Sequence, residues 1–83
     1  MHYPDGQIAR LGDEVSVAGM SGRVVCSIDT REYSDDDPEQ AWAYLQRGVM
    51  IVWDRQGLTH SDEPEAGMIL VRRHREIQVG RAP

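Results

Sequence analysis

Between residues 11 and 29 the chain reads LGDEVSVAGMSGRVVCSID. Val15 and Val17 alternate with Glu14, Ser16 and Ala18, the period of two of a strand with one buried face. Gly19-Met20-Ser21-Gly22 follows as a turn cluster, in which either glycine takes positive φ at little cost. From Arg23 the alternation resumes, with Val24, Cys26 and Ile28 on one face and Val25 and Ser27 on the other. A glycine-turned hairpin is the expectation, with the rest of the chain built onto it.

At 83 residues the chain is one domain with a modest core. The boundaries expected are a single domain over 1–75 and a flexible tail over 76–83. One cysteine excludes an intrachain disulfide and a cysteine-rich zinc site. No stretch approaches the ~18 apolar residues of a membrane span. The first fourteen residues lack the basic and apolar regions of a signal peptide, so the expected location is cytoplasmic. All nine basic residues are arginine, and Lys, Asn and Phe are absent. Those three have AT-rich codons, so the bias points to a GC-rich bacterial genome rather than to phosphate recognition.

The net charge of −5 is unevenly spread. Residues 29–65 hold ten acids against three arginines, and residues 66–83 hold four arginines against one acid. An acidic chain favours a basic protein partner and argues against nucleic acid and anionic membrane.

Along the chain, Tyr3-Pro4-Asp5-Gly6 predicts a turn, with Ile8 as an apolar anchor. After Asp29 comes a long acidic loop containing Glu32, Tyr33, Asp35, Asp36 and Asp37. Asp37-Pro38-Glu39-Gln40 predicts a helix start, with Asp37 as cap and Pro38 at the first helical position. Gly48 supplies the stop, giving two to three turns that must dock on the sheet. Val49–Trp53 is apolar on both faces, as in a central strand or one covered by the helix. Asp54-Arg55-Gln56-Gly57 is a turn, 58–60 a short return strand, 61–67 a loop and 68–72 a closing strand.

The string Gly12-Asp13-x-Val15-x-Val17, followed by Gly19, Gly22 and Val24 to Ile28, resembles the KOW-type opening of an SH3-like small barrel. The string SIDTREYS…WAYLQRGV also resembles small bacterial proteins of the same apparent fold, a likeness that brings no activity with it. The resemblance implies a mainly β, SH3-like small barrel of about five strands, with one short helix inserted between strands 2 and 3. KOW modules often bind RNA or ribosomal proteins and usually carry lysines around the glycine turn. This chain has none there.

No residue set makes a catalytic or metal motif. Cys26 lies on an apolar strand with no base beside it, the setting of an inert buried thiol. His2, His60 and His74 have no metal-ligand spacing, although His60 and His74 would meet if strands four and five paired. The acids of the loop lack the alternation and central glycine of a calcium loop. Trp42 and Trp53 sit in apolar runs and are expected to be core residues, with Trp42 in one core with Val24, Ile51 and Leu70. Arg72-Arg73-His74-Arg75 would split across a strand and reads as a solvated end. The expectation is therefore a non-enzymatic module, without cofactor or metal, that binds another protein with a basic surface. Its candidate contacts are Glu32, Tyr33, Asp35, Asp36 and Tyr44. An immunity or inhibitor protein against a basic toxin or enzyme domain is the concrete form. The alternative is a KOW-like nucleic-acid or ribosome-associated module.

Overall fold

A computed structural model of the chain describes residues 1–73. His74, Arg75 and the expected tail over 76–83 lie outside the described residues. Five strands form one antiparallel sheet: β1 (Glu14–Val17), β2 (Met20–Ser27), β3 (Val49–Trp53), β4 (Gly57–Ser61) and β5 (Ile69–Arg72). Their order is β4-β3-β2-β1-β5, so the sheet is a meander whose first strand also takes the last. β4 and β5 occupy opposite edges and do not pair. The pairing of strands four and five on which a meeting of His60 and His74 would depend is absent among the described residues, and β5 instead adds to β1.

The hairpin turn is tighter than the glycine spacing implied. β1 ends at Val17, and Ala18 (φ 51°) with Gly19 (φ 83°) makes the turn. Two consecutive left-handed residues match the twist of the flanking strands. Met20 and Gly22 therefore belong to β2 rather than to the turn. Gly22 faces Trp53 across the ladder, and a Cβ there would lie 2.6 Å from the indole. Glycine is required here by the ring that covers it, not by backbone conformation.

Register partners share a sheet face. One face carries Val15, Val24, Val49, Ile51 and Trp53, all buried. It closes on the N-terminal segment, where Met1, Tyr3 and Ala9 are buried with Met68 in the same cluster. The N-terminal anchor is thus this trio, and Ile8 is only half-buried. The segment is clasped by Asp13, which is fully buried. Its Oδ2 accepts from the Tyr3 hydroxyl at 2.6 Å and the Arg10 amide at 2.9 Å. Arg73 donates to both carboxylate oxygens, at 3.1 and 3.2 Å, and to the Ile8 carbonyl at 2.6 Å. Arg73 is therefore a buttress of the fold rather than part of a solvated strand end. Burial, then the Asp13 hydrogen bond and charge, push the Tyr3 hydroxyl well above its ordinary value and keep it a donor.

The other face carries a second cluster of Cys26, Ile28 and Met50, against which Val25, Tyr33, Trp42 and Leu45 pack. A bulge at Val25 creates it. Val24 pairs with Ile51, but Cys26 pairs with Met50, one residue out of phase. The extra residue turns both Val25 and Cys26 toward the second face. The simple alternation expected for β2 is broken at this point. Trp42 consequently lies on the face opposite Val24 and Ile51, half-buried, and not in their core.

The insertion between β2 and β3 is one α-helical turn, α1 (Glu39–Trp42), followed by a 3-10 turn over Ala43–Leu45. It is shorter than the two to three turns expected, because Trp42 leaves helical geometry (φ −121°) and Gln46 is left-handed (φ 74°). Pro38 takes the cap position with extended backbone, and no side chain caps the helix. Asp37 is diverted from capping: its Oδ1 accepts from the Trp42 indole at 3.1 Å. That bond pins the indole over the second cluster.

Candidate interaction surface

The acidic loop over 29–40 divides into bound and free carboxylates. Asp29 accepts from the Met1 amino group and, at 3.0 Å, from the Gly48 amide. Glu32 is held more fully. Arg10 donates Nε and Nη2 to its two oxygens at 2.9 and 2.8 Å, the Thr30 hydroxyl donates at 2.6 Å, and the Leu11 amide at 3.2 Å. The Arg10 hydrogen bond, opposed by partial burial and reinforced by Thr30 and Leu11, lowers the Glu32 carboxyl to about 2. Asp37 holds Trp42 as described. The loop is long because these three acids brace it against the N-terminal segment, against β3 and against the helical turn.

Asp35 and Asp36 are exposed and make no such bond among the described residues. Tyr44 is 72 % exposed, on the 3-10 turn. Tyr33 is half-buried and packs on the second cluster. Of the five predicted contact residues, Asp35, Asp36 and Tyr44 are thus presented to solvent, Tyr33 in part, and Glu32 is engaged inside the fold.

The helical turn covers only one end of the second face. Beyond it, Val52 and Leu58 are register partners on β3 and β4, exposed by 41 % and 42 %. Ile69 and Val71 on β5 are exposed by 60 % and 56 %. Between them runs an open groove of about 430 Å³, with walls that include Val25, Val52, Val71, Glu14, Arg23 and Asp54. Glu14 lies 3.6 Å from both Arg23 and Arg72, which links the charges of β1, β2 and β5 along the groove floor. Sequence reasoning missed this surface. Val52 read as half of a strand buried on both faces, and nothing local says how far a helix of unknown length will reach.

No family model matches the sequence, and no curated protein or solved structure does either.

The remaining chemistry-bearing groups are dispersed. Cys26 is fully buried, and that burial pushes its thiol above the ordinary value. His60 is exposed, with Nε2 2.8 Å from the Arg47 carbonyl oxygen. Among the described residues, no three of His, Cys, Asp and Glu gather as metal ligands. No helix of the described residues is long and apolar enough to cross a membrane.

Proposed function

We propose that this is a non-enzymatic, cytoplasmic protein-binding module of SH3-like small-barrel type. It engages a partner with a basic surface, in the manner of an immunity or inhibitor protein for a toxin or enzyme domain. One observation carries the reading. A small fold leaves Val52, Leu58, Ile69 and Val71 exposed on one sheet face, and grouped apolar exposure marks a surface that partners cover. The strand order, with β1 between β2 and β5, supports the small-barrel assignment. Asp35 and Asp36 supply negative charge that no described residue neutralises, which suits electrostatic steering of a basic partner.

The KOW-like alternative draws support from the hairpin and opposition from the arginines. Arg10, Arg47, Arg72 and Arg73 each face a carboxylate within the fold. Phosphate contacts need free cations.

The test is affinity capture with the parent and with a variant carrying Asp35→Asn and Asp36→Asn, followed by association kinetics on the captured protein. The expected result is a basic partner whose association with the variant is slower and less salt-dependent. Equal rates at low salt would remove the loop from the interface. Sub-micromolar RNA or DNA binding with a steep salt slope would replace this reading with the KOW-like one.

A further inference from the structure

The two edges of the sheet are built differently. β5 meets β1 with a register shift between Glu14 and Val15, and it ends in Arg72 with Arg73 folded back onto Asp13. Bulges and terminal charges are the usual means of blunting an edge. β4 has neither. Its five residues, Gly-Leu-Thr-His-Ser, carry no formal charge and no proline. Its register with β3 is unbroken from Ser61 to Gly57. Among the described residues nothing pairs with the outer side of β4, and from Leu58 to Ser61, past the left-handed Gly57, it is an uncharged edge that can accept another strand.

We propose that β4 is a self-association edge, at which two copies of the chain pair antiparallel about Thr59. The sequence around β4 is complementary to itself in this arrangement. Thr59 faces Thr59 of the second copy, Leu58 faces His60, and Gly57 faces Ser61. Arg55, in the β3–β4 turn, and Glu63, just past Ser61, flank opposite ends of the edge, so antiparallel pairing sets the Arg55 end of one copy against the Glu63 end of the other. The two-fold axis makes this pair twice. Arg55 and Glu63 are both exposed, and neither has a partner among the described residues. Asp62 is already paired with Arg47 at 3.2 Å, so it adds no unmatched charge at the join. Parallel pairing would instead set Arg55 beside Arg55 and Glu63 beside Glu63. Charge thus selects the orientation. Val52 and Leu58, half-exposed in one copy, then extend across the join into the same residues of the next.

Five residues of edge pairing are a small interface beside the ~800 Å² per partner of standard complexes. The association is accordingly concentration-dependent. Sedimentation of the parent from about 10 μM to about 1 mM should show a mass rising from one chain toward two. Each exposed charge pair is weak, but reversing one member turns two attractions into two repulsions. Arg55→Glu alone, or Glu63→Arg alone, should weaken the dimer about tenfold. Combined in one chain, the two substitutions should restore it to within about threefold. Leu58→Asp, which sets a carboxylate on the edge, should abolish it. All three positions are solvent-exposed, so melting temperature should be unchanged and serves as the folding control. A chain that stays monomeric throughout overturns the proposal. A dimer indifferent to these substitutions, or one that the charge swap fails to restore, overturns it equally. None of these measurements involves the partner protein, so they fail or succeed apart from the proposed function.

Discussion

Ile51 and Met50 are neighbours on β3, yet they enter hydrophobic clusters of different depth. Ile51 joins eight other buried residues on the N-terminal side, while Met50 joins two others under the helical turn. The first cluster is sealed by chain from far away in sequence, tied down through Asp13. The second is roofed by Trp42 and Leu45, both half-buried, on an insertion of seven helical residues. A one-turn helix cannot hold itself together. Its order rests on the indole bond to Asp37 and on the surface beneath. The N-terminal side thus holds most of the stability, and the helix side is where the fold opens first. The exposed aliphatic strip and Tyr44 lie on that looser side.

The strongest test of this contrast removes one tryptophan from each face. Trp53 is 3 % exposed, packs over Gly22 and donates to the Thr59 hydroxyl at 2.9 Å. Trp53→Ala should cost ~3–5 kcal/mol. Trp42→Ala removes a half-buried ring and should cost ~1–2 kcal/mol. Urea unfolding of the two variants checks this. Equal losses would show that the helix side is as firmly held as the N-terminal side.

Asp13→Asn probes how the first cluster is tied. The amide keeps the shape of the carboxylate but loses the charge-assisted bonds to Arg73, and should cost ~1.5–3 kcal/mol. Arg73→Ala should cost little more when Asp13 is already Asn. Additive losses in that double-mutant cycle would mean the two residues do not act together.

These two tests also separate what was legible in the sequence from what was not. The strands were legible because alternation and glycine turns are local signals: Val15 and Val17, the two-faced run of β3, and the turn before Gly57 all stand where the pattern put them. The clasp was not, because Tyr3, Asp13 and Arg73 meet across sixty residues and each looks ordinary alone. The bulge at Val25 leaves no trace in an alternating run, so the pattern alone puts Trp42 with Val24 and Ile51 rather than on the opposite face. At the candidate surface, the exposure of Asp35, Asp36 and Tyr44 followed from polarity and position. The engagement of Glu32 did not, since Arg10 lies 22 residues away.

That Arg10–Glu32 link gives a pH dependence. Glu32 is lowered from 4.5 to about 2 in the folded chain. A depressed folded value contributes stability above pH 4.5 that is lost as pH falls toward 2. Arg10 is half-exposed and Glu32 partly so, so the contribution is under the full linkage value. Urea midpoints of the parent should fall through that window. Those of Glu32→Gln should fall less, from a lower starting value. Parallel curves would assign the acid sensitivity to other carboxylates.

The smallest effect concerns the hairpin turn, whose Ala18 and Gly19 are exposed and so calibrate the others. Ala18 is left-handed at φ 51°, a conformation that costs an L-residue with a Cβ ~1–2 kcal/mol. Asparagine tolerates that region better than alanine, and Asn-Gly is the preferred pair for a turn with two left-handed residues. Ala18→Asn makes that pair with Gly19. It should raise stability by up to ~1 kcal/mol, with no change in the Trp42 or Trp53 differences measured in the same background. Additivity is expected because the turn shares no partner with either ring. A gain that appears only when Trp53 is intact would mean that the turn and the N-terminal core are one cooperative unit, with β1 and β2 transmitting strain from Ala18 to the ring over Gly22.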